Sequence, residues 1–462
     1  MRFVKIRTLM SPRRAQTHAN KESSAFIRYI SVFGVPVLMT NRLVFLLTSI
    51  LLIAILAIIT WLESSKPKAI ALIPALTNQP EYCLTCHNGI EPVSAAHPTE
   101  VFGCVRCHGG ERLALDKDLA HSTMRGGRNP SDFSVVERSC GGSECHSGAA
   151  KDERDHIARV MTSVQATYVG AITNVYFAFG GQPDQKPRYG MITVSGVDPM
   201  GKAIKLIEPP KSENQFLQKF LSNCSSCHLN AESINETNYH RLTGCAACHA
   251  LTNSLGSYTG NDPTVKRSES GHANTHTLTA AISYSQCNAC HNRGNYDLKT
   301  MTFNARADRP SNRQQDYYQP IAQFTKCEFE LDCVDCHTAN EVMGDGAIHE
   351  NKKSIQDVQC QTCHGTLTTP PQTRTIQDVN DVALRRAFLN PKVPLAVGDV
   401  TVITAKGEAM WNIRKAADGS YRQIGKINGT IYDVPLVAGS KCKQKPDQQE
   451  SKYCHECHAV RK

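Results

Sequence analysis

The longest hydrophobic run in the chain covers residues 43–62, where twenty consecutive positions carry no charge. A helix of this length can cross the hydrocarbon core of a bilayer. Trp61 lies near its end, where aromatic side chains favour the membrane interface, and the excess of basic residues before it places the N-terminus in the cytoplasm. The pattern predicts an uncleaved transmembrane anchor. The alternative is a cleaved signal peptide, whose hydrophobic region is usually shorter.

Helical periodicity returns in residues 155–179, where apolar side chains recur from Ile157 to Phe179 at intervals of three and four. This spacing predicts a single helix that ends near Gly180. Residues 191–207 alternate apolar and polar side chains around Asp198 and Gly201, which predicts a β-hairpin.

Three more strands are predicted at 409–415, 421–427 and 430–437, joined by Asp-Gly and Asn-Gly turns at Gly419 and Gly429. They form a small β meander in a segment of about 90 residues. Its expected role is to cover the cofactors described below, and the alternative is docking of a partner or substrate.

Eight segments share the pattern Cys-x-x-Cys-His, and a ninth has four residues between its cysteines. Numbered 1 to 9 in chain order, the motifs hold the cysteine pairs Cys83 and Cys86, Cys104 and Cys107, Cys140 and Cys145, Cys224 and Cys227, Cys245 and Cys248, Cys287 and Cys290, Cys333 and Cys336, Cys360 and Cys363, and Cys454 and Cys457. The histidines that follow are His87, His108, His146, His228, His249, His291, His337, His364 and His458.

This pattern is the attachment signal of c-type haem. The two thiols form thioethers to the porphyrin, and the histidine becomes an axial ligand of the iron. Zinc sites and Cys-x-x-Cys redox pairs are the alternatives, but neither explains why a histidine follows the second cysteine nine times. The sequence therefore predicts nine covalently bound haem c groups.

The composition agrees with a core made largely of cofactor. Aromatic residues are only 6% of the chain, and the 40% of hydrophobic residues includes the 20 cysteines. The predicted fold class is therefore mostly α and irregular, with little regular structure, small β insertions, haems forming the core and one N-terminal transmembrane helix. Without haem, most of the chain is not expected to fold.

Motif spacing divides the chain into nine predicted segments. Motif pairs 1 and 2, 4 and 5, and 7 and 8 each enclose one extra histidine, and a further motif follows the first two pairs. The segments are a basic leader 1–42, the anchor 43–62, a linker 63–82, a three-haem module 83–150, a haem-free insert 151–223, a three-haem module 224–291, a two-haem module 292–364, a β-rich haem-free insert 365–453 and the ninth motif 454–462.

The histidines that do not follow a motif cysteine are the candidates for distal iron ligands. The enclosed His97, His240 and His349 are the first candidates, because they recur at similar positions. The others are His121, His156, His272, His276 and, less favoured, His455 inside motif 9. Eight candidates for nine irons leave at least one haem without a second histidine, unless a neighbouring chain supplies it. Met124, Met301 and Met343 are possible substitutes.

Two cysteines, Cys327 and Cys442, lie outside the motifs. In an exported domain a spare pair predicts a disulfide. A thiolate ligand to one iron and unbonded structural cysteines are the alternatives.

The net charge of +9 comes mainly from the leader, because residues 1–42 hold eight Lys and Arg with Glu22 as the acidic residue. Haem propionates would make the exported part acidic, so its redox partners are expected to present basic patches. No nucleic-acid binding is expected, since the leader precedes the membrane segment and haem is attached outside the cytoplasm.

The nine motifs resemble those of the multihaem c-type cytochromes, over residues 83–458. An N-terminal anchor followed by closely spaced motifs 1 and 2 is similar to the NapC/NirT group of membrane-anchored quinol dehydrogenases. This resemblance implies a single-pass protein of the cytoplasmic membrane with its haems on the periplasmic or extracellular side. It also implies quinol or a membrane redox complex as electron donor, and periplasmic redox proteins as acceptors. The chain departs from the group in having more motifs and two long inserts.

Three functions are compatible with these features. The favoured one is an electron conduit between the membrane and periplasmic or extracellular acceptors. The second is a multihaem oxidoreductase with one five-coordinate catalytic haem, resembling hydroxylamine oxidoreductase or nitrite reductase. The third is a polymerised cytochrome filament, which the anchor disfavours.

Overall fold

The computed structural model describes residues 37–65, 68–236, 239–291, 295–297, 302–304, 327 and 330–458. Most of the predicted basic leader, Met301, the side chain of His455 and the C-terminal end of segment 454–462 lie outside the described residues. The chain divides into two units, Met1–Lys68 and Ala69–Lys462, and each is described by itself.

The described part of the first unit is one long helix, α1, Val37–Ser64. Its side chains are mostly apolar and exposed, among them Phe45, Ile53 and Trp61. Residues Asn41–Ser64 are long and apolar enough to cross a membrane. The helix is therefore a candidate membrane span or signal sequence, because a signal sequence passes the same test of length and composition.

The second unit combines short helices with small antiparallel sheets. Among the described residues its α-helices are α2 Thr99–Phe102, α3 Val105–His108, α4 Lys117–His121, α5 Val136–Ser139, α6 His156–Thr162, α7 Val164–Thr167, α8 Val169–Ala178, α9 Gln215–Cys224, α10 Ala246–His249, α11 Tyr284–Asn288, α12 Cys333–Cys336, α13 Ala339–Met343, α14 Lys352–Ile355, α15 Cys360–His364, α16 Val382–Phe388 and α17 Ser451–His458. The mixture of short helices and small sheets agrees in part with the predicted fold class.

Its strands are β1 Val194–Val197, β2 Ala203–Leu206, β3 Ile234–Glu236, β4 Tyr239–Arg241, β5 Asn295–Asp297, β6 Thr302–Asn304, β7 Thr373–Thr375, β8 Val400–Ile403, β9 Ala409–Lys415, β10 Tyr421–Ile424 and β11 Ile431–Asp433. They form three two-stranded sheets, β1-β2, β3-β4 and β5-β6, and one sheet of five strands.

The single helix predicted over residues 155–179 is wrong, because the chain breaks there into α6, α7 and α8. Ser163 ends α6 in an extended conformation and caps α7, with its Oγ accepting from Ala166 N. Tyr168 separates α7 from α8 with a φ of 56°, a left-handed conformation that is strained for an aromatic residue. The predicted end of the helix is confirmed, since α8 stops two residues before Gly180.

The segment still forms a core with the helix that leads into motif 4. Ile172 and Tyr176 of α8 are fully buried against Leu217 and Phe220 of α9. The apolar periodicity thus identified the buried face correctly, although the backbone is interrupted. Burial of such side chains contributes about 1.5–3 kcal/mol each.

The hairpin predicted over residues 191–207 is confirmed by β1 and β2, which pair antiparallel from Val194 with Leu206 to Val197 with Ala203. Asp198 closes the turn, because its Oδ1 accepts from Met200 N at 2.9 Å and Lys202 N at 2.8 Å. Gly201 has a φ of 82°, which the turn requires and glycine allows.

The predicted β meander is confirmed as β9, β10 and β11, with β10 and β11 shorter than expected. The sheet also contains β7 and β8, which the sequence analysis missed, in the order β11-β10-β9-β8-β7. These two strands are only three and four residues long, so they carry little alternation to detect. The sheet buries Val402, Met410, Ile413 and Tyr421.

Candidate haem-binding sites

In motifs 1, 2, 5, 6 and 7 the chain forms a single helical turn closed by one backbone hydrogen bond. The amide of the motif histidine donates to the carbonyl of the first cysteine, at 3.0 Å in motif 1, 2.9 Å in motif 2 and 2.8 Å in motif 6. One turn brings positions three and four apart to the same side of the chain. The two thiols and the imidazole can therefore face one macrocycle.

Motif 3 closes in the same way despite its longer spacing. His146 N donates to Cys140 O at 3.2 Å, so the two additional residues lie within the loop. Gly142 has a φ of 129°, which allows this loop to turn back. The long motif therefore keeps the geometry of the short ones.

Motifs 2 and 5 begin with the same local structure, a glycine of positive φ directly before the first cysteine. Gly103 and Gly244 precede their first cysteines with φ of 68° and 60°, and a Cβ on either would collide with a neighbour. Buried Glu81 accepts from Cys104 N at 2.7 Å, whereas the Ser131 hydroxyl accepts from Ala246 N at 2.9 Å. The turns are similar although the capping residues differ.

Several motif histidines are held through Nδ1. His87 Nδ1 lies 2.7 Å from Asp262 Oδ2, and His337 Nδ1 lies 3.0 Å from Glu341 Oε2. In motifs 5 and 8 the partner of the ring is a backbone carbonyl, Thr279 O at 2.8 Å and Pro435 O at 2.7 Å. Such a contact fixes the tautomer and orientation of a metal-binding imidazole and presents its other nitrogen to the metal.

Four predicted distal ligands lie against motif histidines. At about 2 Å for each metal–nitrogen bond, two imidazoles on one metal have ring centroids roughly 6 Å apart. The observed centroid distances are 6.1 Å for His87 with His121, 5.9 Å for His108 with His276, 5.7 Å for His146 with His97 and 5.3 Å for His146 with His156.

Three of these partners are themselves held through Nδ1. His121 Nδ1 lies 2.7 Å from Lys117 O, His276 Nδ1 lies 2.8 Å from Glu91 O, and His97 Nδ1 lies 3.0 Å from Ser94 Oγ. In motifs 1 and 2 the two rings of a pair therefore have the spacing that a shared iron would require.

His240, His349 and His272 are placed differently. His349 is 2% exposed, with Nδ1 at 3.0 Å from Ser354 Oγ and Nε2 at 3.0 Å from Asp345. His240 likewise uses both nitrogens, towards Asn235 Oδ1 at 2.8 Å and Ser254 O at 3.2 Å. His272 Nε2 lies 3.4 Å from Arg128 Nη1. Ligation by these three, and by Met124 or Met343, stays a prediction.

Burial keeps the central imidazoles neutral at physiological pH. It lowers the pKa of His146 to about 4, and the charges of His156 and His97 add to the effect. It also lowers the pKa of His108 to about 4, again with neighbouring histidines contributing. A metal ion binds the neutral form of histidine, so these rings are in the state that iron ligation needs.

Motifs 1, 2 and 3 lie next to one another. A hydrogen bond between the Cys83 and Cys104 thiols raises the pKa of Cys104. Burial and the adjacent Cys140 thiol raise the pKa of Cys107 to about 11. Arg106, inside motif 2, donates from Nη2 to Gly141 O of motif 3 at 2.8 Å. Motifs 1, 2 and 3 therefore form an uninterrupted series.

Motif 3 adjoins motif 5. Cys140 and Cys245 pack against one apolar cluster, and burial together with the Cys140 thiol raises the pKa of Cys245 to about 12. Gln286, beside motif 6, donates from Nε2 to Ala250 O at 2.8 Å, directly after motif 5. The series continues from motif 3 through motif 5 to motif 6.

Motif 6 is a junction. Cys290 shares a side-chain hydrogen bond with Cys227 of motif 4, and Cys287 shares one with Cys333 of motif 7. Tyr284 N also donates to Asp332 Oδ1 at 3.0 Å, next to motif 7. Motif 4 also adjoins motif 5, because Gly244 N donates to Leu229 O at 2.8 Å. Motif 4 therefore lies beside motifs 5 and 6, while the main series proceeds to motif 7.

The series ends at motif 9. Burial raises the pKa of the Cys336 thiol of motif 7, and Cys363 of motif 8 contributes to this shift. Cys360 N donates to Ser451 Oγ at 2.9 Å, where α17 begins and carries motif 9. The order in space is 1-2-3-5-6-7-8-9, with motif 4 beside motifs 5 and 6.

The five-stranded sheet covers motifs 7 and 8. Asn412 and Gln423 donate from their side-chain amides to Asp335 O at 3.1 and 2.8 Å, and Lys426 Nζ donates to Val334 O at 2.5 Å. Val437 N donates to His364 O at 2.9 Å. These contacts agree with the expected structural role of the β-rich insert.

The predicted disulfide between Cys327 and Cys442 does not form between these two described residues. The charge of Cys327 contributes to raised thiol pKa values at Cys336 and Cys363, so Cys327 lies beside motifs 7 and 8. Cys442 lies on the loop after the sheet, with its amide 3.1 Å from Ser440 Oγ.

The sequence analysis missed the carboxylates that orient the motifs. Asp262 lies 175 residues from His87, and nothing local in the sequence indicates their contact. Glu341 could have been found, because Thr338 and Glu341 form the T-x-x-E capping box at the start of α13. Its Oε1 also accepts from Asp357 N at 2.7 Å and Val358 N at 2.8 Å.

Comparison with known proteins agrees with these motifs. Residues 286–365 match the family model of cytochrome c554 and c-prime. That stretch contains motifs 6, 7 and 8, and the match supports a c-type cytochrome with covalently bound haem and a role in electron transfer. No curated protein and no solved structure matches the chain.

Proposed function

We propose that this protein is a membrane-anchored nonahaem c-type cytochrome that relays electrons between the membrane and periplasmic or extracellular acceptors. Haem bound at the motifs would supply one-electron chemistry. The polypeptide would hold each cofactor by two thioethers, orient its imidazole ligands and keep successive sites close.

The continuous order of the attachment motifs carries this proposal. Neighbouring motifs are in contact through their own residues, from the Cys83–Cys104 thiol pair to the Cys360–Ser451 contact. Electron transfer is fast only between closely spaced cofactors, so a conduit needs this kind of series. Motif 1 lies nearest in sequence to the apolar helix α1, and motif 9 is at the other end of the chain.

The histidine pairs support six-coordinate iron at the first sites. We propose His121 as the distal ligand at motif 1 and His276 at motif 2, with His97 or His156 completing motif 3. Two imidazole ligands leave no exchangeable position on the iron, and the iron geometry need hardly change on reduction. This state suits a relay better than a catalyst.

Donor and acceptor follow from the proposed membrane location. The donor would be quinol or a membrane redox complex, and the acceptors would be periplasmic redox proteins. The anchor would hold motif 1 close to that donor, with the haem domain outside the cytoplasm.

A second candidate is a multihaem oxidoreductase with one open iron. His240 and His349 use both ring nitrogens within the protein, which reduces the histidines available as distal ligands. An iron without a second ligand could bind a small substrate.

Two measurements on the purified full-length protein test the proposal. Mass spectrometry should find nine covalent haems, and absorbance spectra of the ferric protein should not change on addition of cyanide or nitric oxide. Far fewer haems would overturn the nonahaem assignment. A high-spin fraction near one-ninth that binds cyanide would favour the oxidoreductase.

The membrane role needs a separate experiment. A shortened chain starting at Ala69 and exported by a cleavable signal should carry all its haems but remain in the soluble fraction. The full-length protein should need detergent. Release of the full-length protein by salt alone would contradict an anchoring role for α1.

A further inference from the structure

Arg241 is a buried cation at the junction of motifs 4, 5 and 6. It ends β4 and is only 2% exposed. Removing a guanidinium from water is costly unless an anion or a full set of acceptors replaces the lost hydration. Its partners therefore indicate what the site is built to hold.

The partners of Arg241 among the described residues are all neutral. Nη1 donates to His228 O at 3.0 Å, and Nη2 donates to Ser226 O at 3.2 Å and Glu232 O at 2.9 Å. Nε is buried and has no hydrogen-bond partner in the described part of the chain. Within that part, the positive charge is not compensated and one donor is unused.

Other arginines of low exposure in the described part of the chain differ from Arg241. Arg386 is paired with both Glu153 and Glu408. Arg159 also lacks a carboxylate, but it leaves no buried nitrogen unpaired.

Arg414 leaves its Nε and Nη2 buried without a hydrogen-bond partner, but it is paired with Asp399 at 3.3 Å. Among these arginines, Arg241 is distinguished by an unused buried nitrogen together with the lack of a carboxylate partner.

Arg241 lies beside three motifs. Its guanidinium contacts the backbone carbonyls of Ser226 and His228 in motif 4. The carbonyl of the preceding residue, His240, accepts from Thr252 Oγ1 at 2.8 Å, and Thr252 lies three residues after motif 5. Thr252 Oγ1 also lies 2.9 Å from Gln286 Oε1, next to motif 6. The guanidinium is therefore close to the place where cofactors attached at these motifs would meet.

We propose that Arg241 binds a haem propionate at the junction of motifs 4, 5 and 6. The inference rests on the proposed binding of haem at these motifs. A propionate carboxylate has the charge that the site lacks and can accept from Nε, and guanidinium–carboxylate contacts are favoured in geometry. The three carbonyls would hold the arginine ready for this contact.

The contact should raise the reduction potential of that haem. Reduction adds one negative charge to the cofactor, and a fixed cation nearby stabilises the reduced form more than the oxidised form. Arg241→Gln should therefore lower the potential of one haem. We expect about a tenfold change in its reduction equilibrium, which corresponds to ~59 mV for one electron.

Redox titration of the full-length protein tests this, with haem number measured by mass spectrometry on the same samples. Arg241→Lys keeps the charge but reaches fewer acceptors, so we expect a smaller shift in the same direction. Arg422→Gln is the control, because it removes an arginine that is 52% exposed on the sheet. It should leave every potential unchanged.

The outcomes separate a propionate contact from a purely structural role. If Arg241 only ties the three carbonyls, its variants should unfold more easily while every potential stays at the wild-type value, and that result would overturn the inference. If Arg241→Gln does not accumulate, Arg241→Lys decides the question. A lowered potential of one haem in Arg241→Lys would support the contact, and unchanged potentials would overturn it. A wild-type protein without covalent haem would instead overturn the proposed function itself.

Discussion

Buried carboxylates orient the imidazoles of motifs 1 and 7. Asp262 lies on a loop between motifs 5 and 6, and Glu341 lies on α13 directly after motif 7. Burial raises the pKa of Asp262, but the hydrogen bonds from His87 and Thr264 outweigh it and the pKa ends below its ordinary value. The carboxylate is therefore ionised beside His87 and makes that imidazole a stronger electron donor.

Replacing this carboxylate should change the potential of one haem. In Asp262→Asn the weaker acceptor reduces electron donation by His87, which favours the ferrous state. We expect the reduction potential of the haem at motif 1 to rise by ~59 mV, which corresponds to about a tenfold change in its reduction equilibrium. Redox titration measures this potential. Asp433→Asn, at a carboxylate that is 93% exposed, should have no effect. Identical titrations for the two variants would refute the role of Asp262.

The distal pairing at motif 2 can be tested by exchanging the ligand. His276→Met should raise the potential of one haem, because a Met/His pair favours ferrous iron relative to two histidines. The number of covalent haems should not change, since both thioethers remain.

The matched variant is Glu269→Met, seven residues before His276 on the same loop. Glu269 is 46% exposed and pairs with Lys266 at the surface, so all potentials should stay at their wild-type values. An equal shift in Glu269→Met and His276→Met would show that the potential responds to the loop and not to the ligand.

Among the elements, the five-stranded sheet is joined to motif 7 through a buried lysine. Lys426 lies 4.7 Å from the Trp411 ring centroid, and its Nζ donates to Val334 O. Burial lowers the pKa of Lys426 to about 8, although Asp335 and Glu408 oppose the shift and Arg386 supports it. Burial also raises the pKa of Asp335.

Lys426→Met should destabilise the protein at pH 7, because the carbonyl of Val334 loses its donor. Such a loss costs about 1–3 kcal/mol. Lys205→Met, at an exposed lysine on β2, is the control and should unfold like the wild type. Thermal unfolding of both variants measures the difference.

The stability difference should also depend on pH. Between about pH 8 and the ordinary lysine value of 10.5, the unfolded wild type retains the proton that the folded protein has lost. The unfolding free energy of the wild type therefore gains a contribution that rises with pH in this window. Lys426→Met lacks this contribution, so its deficit should be larger at about pH 9.5 than at pH 7. An equal deficit at both pH values would show that Lys426 remains charged.

At the scale of the whole molecule, motif 6 lies within the main series of motifs and motif 4 lies beside it. Motif 6 connects motifs 1, 2, 3 and 5 to motifs 7, 8 and 9, whereas motif 4 lies beside the series at motifs 5 and 6. Loss of one haem should therefore have different effects at these two sites.

Changing both cysteines of motif 6 to serine, Cys287→Ser with Cys290→Ser, should remove one haem and divide the series. After rapid reduction by a donor acting at motif 1, the haems at motifs 7, 8 and 9 should remain oxidised for longer than in the wild type. Stopped-flow absorbance follows this, and mass spectrometry confirms the loss of one haem.

The matched variant removes motif 4, with Cys224→Ser and Cys227→Ser. It also loses one haem, but electrons should reach motif 9 at the wild-type rate. Equal slowing in both variants would contradict the branched order.

Local chemistry in the sequence determined the motifs, the apolar helix, the first hairpin and three strands of the sheet. These features depend on neighbouring residues: a histidine must follow its cysteine, and the turns at Asp198 and Asp418 close within five residues. The break at Tyr168 was not predictable, because tertiary packing maintains a conformation that the residue itself disfavours.

Only the tertiary structure decided which residues serve each motif. The sequence identified His97, His240 and His349 as equivalent by position, but the structure places His97 against His146 and engages both nitrogens of the other two. His276 and Asp262 approach motifs 2 and 1 from a loop more than 150 residues away. The order in which motif 5 follows motif 3 likewise depends on long-range packing. Residue spacing specifies contacts within one turn of chain, whereas contacts between distant segments depend on which buried surfaces fit together.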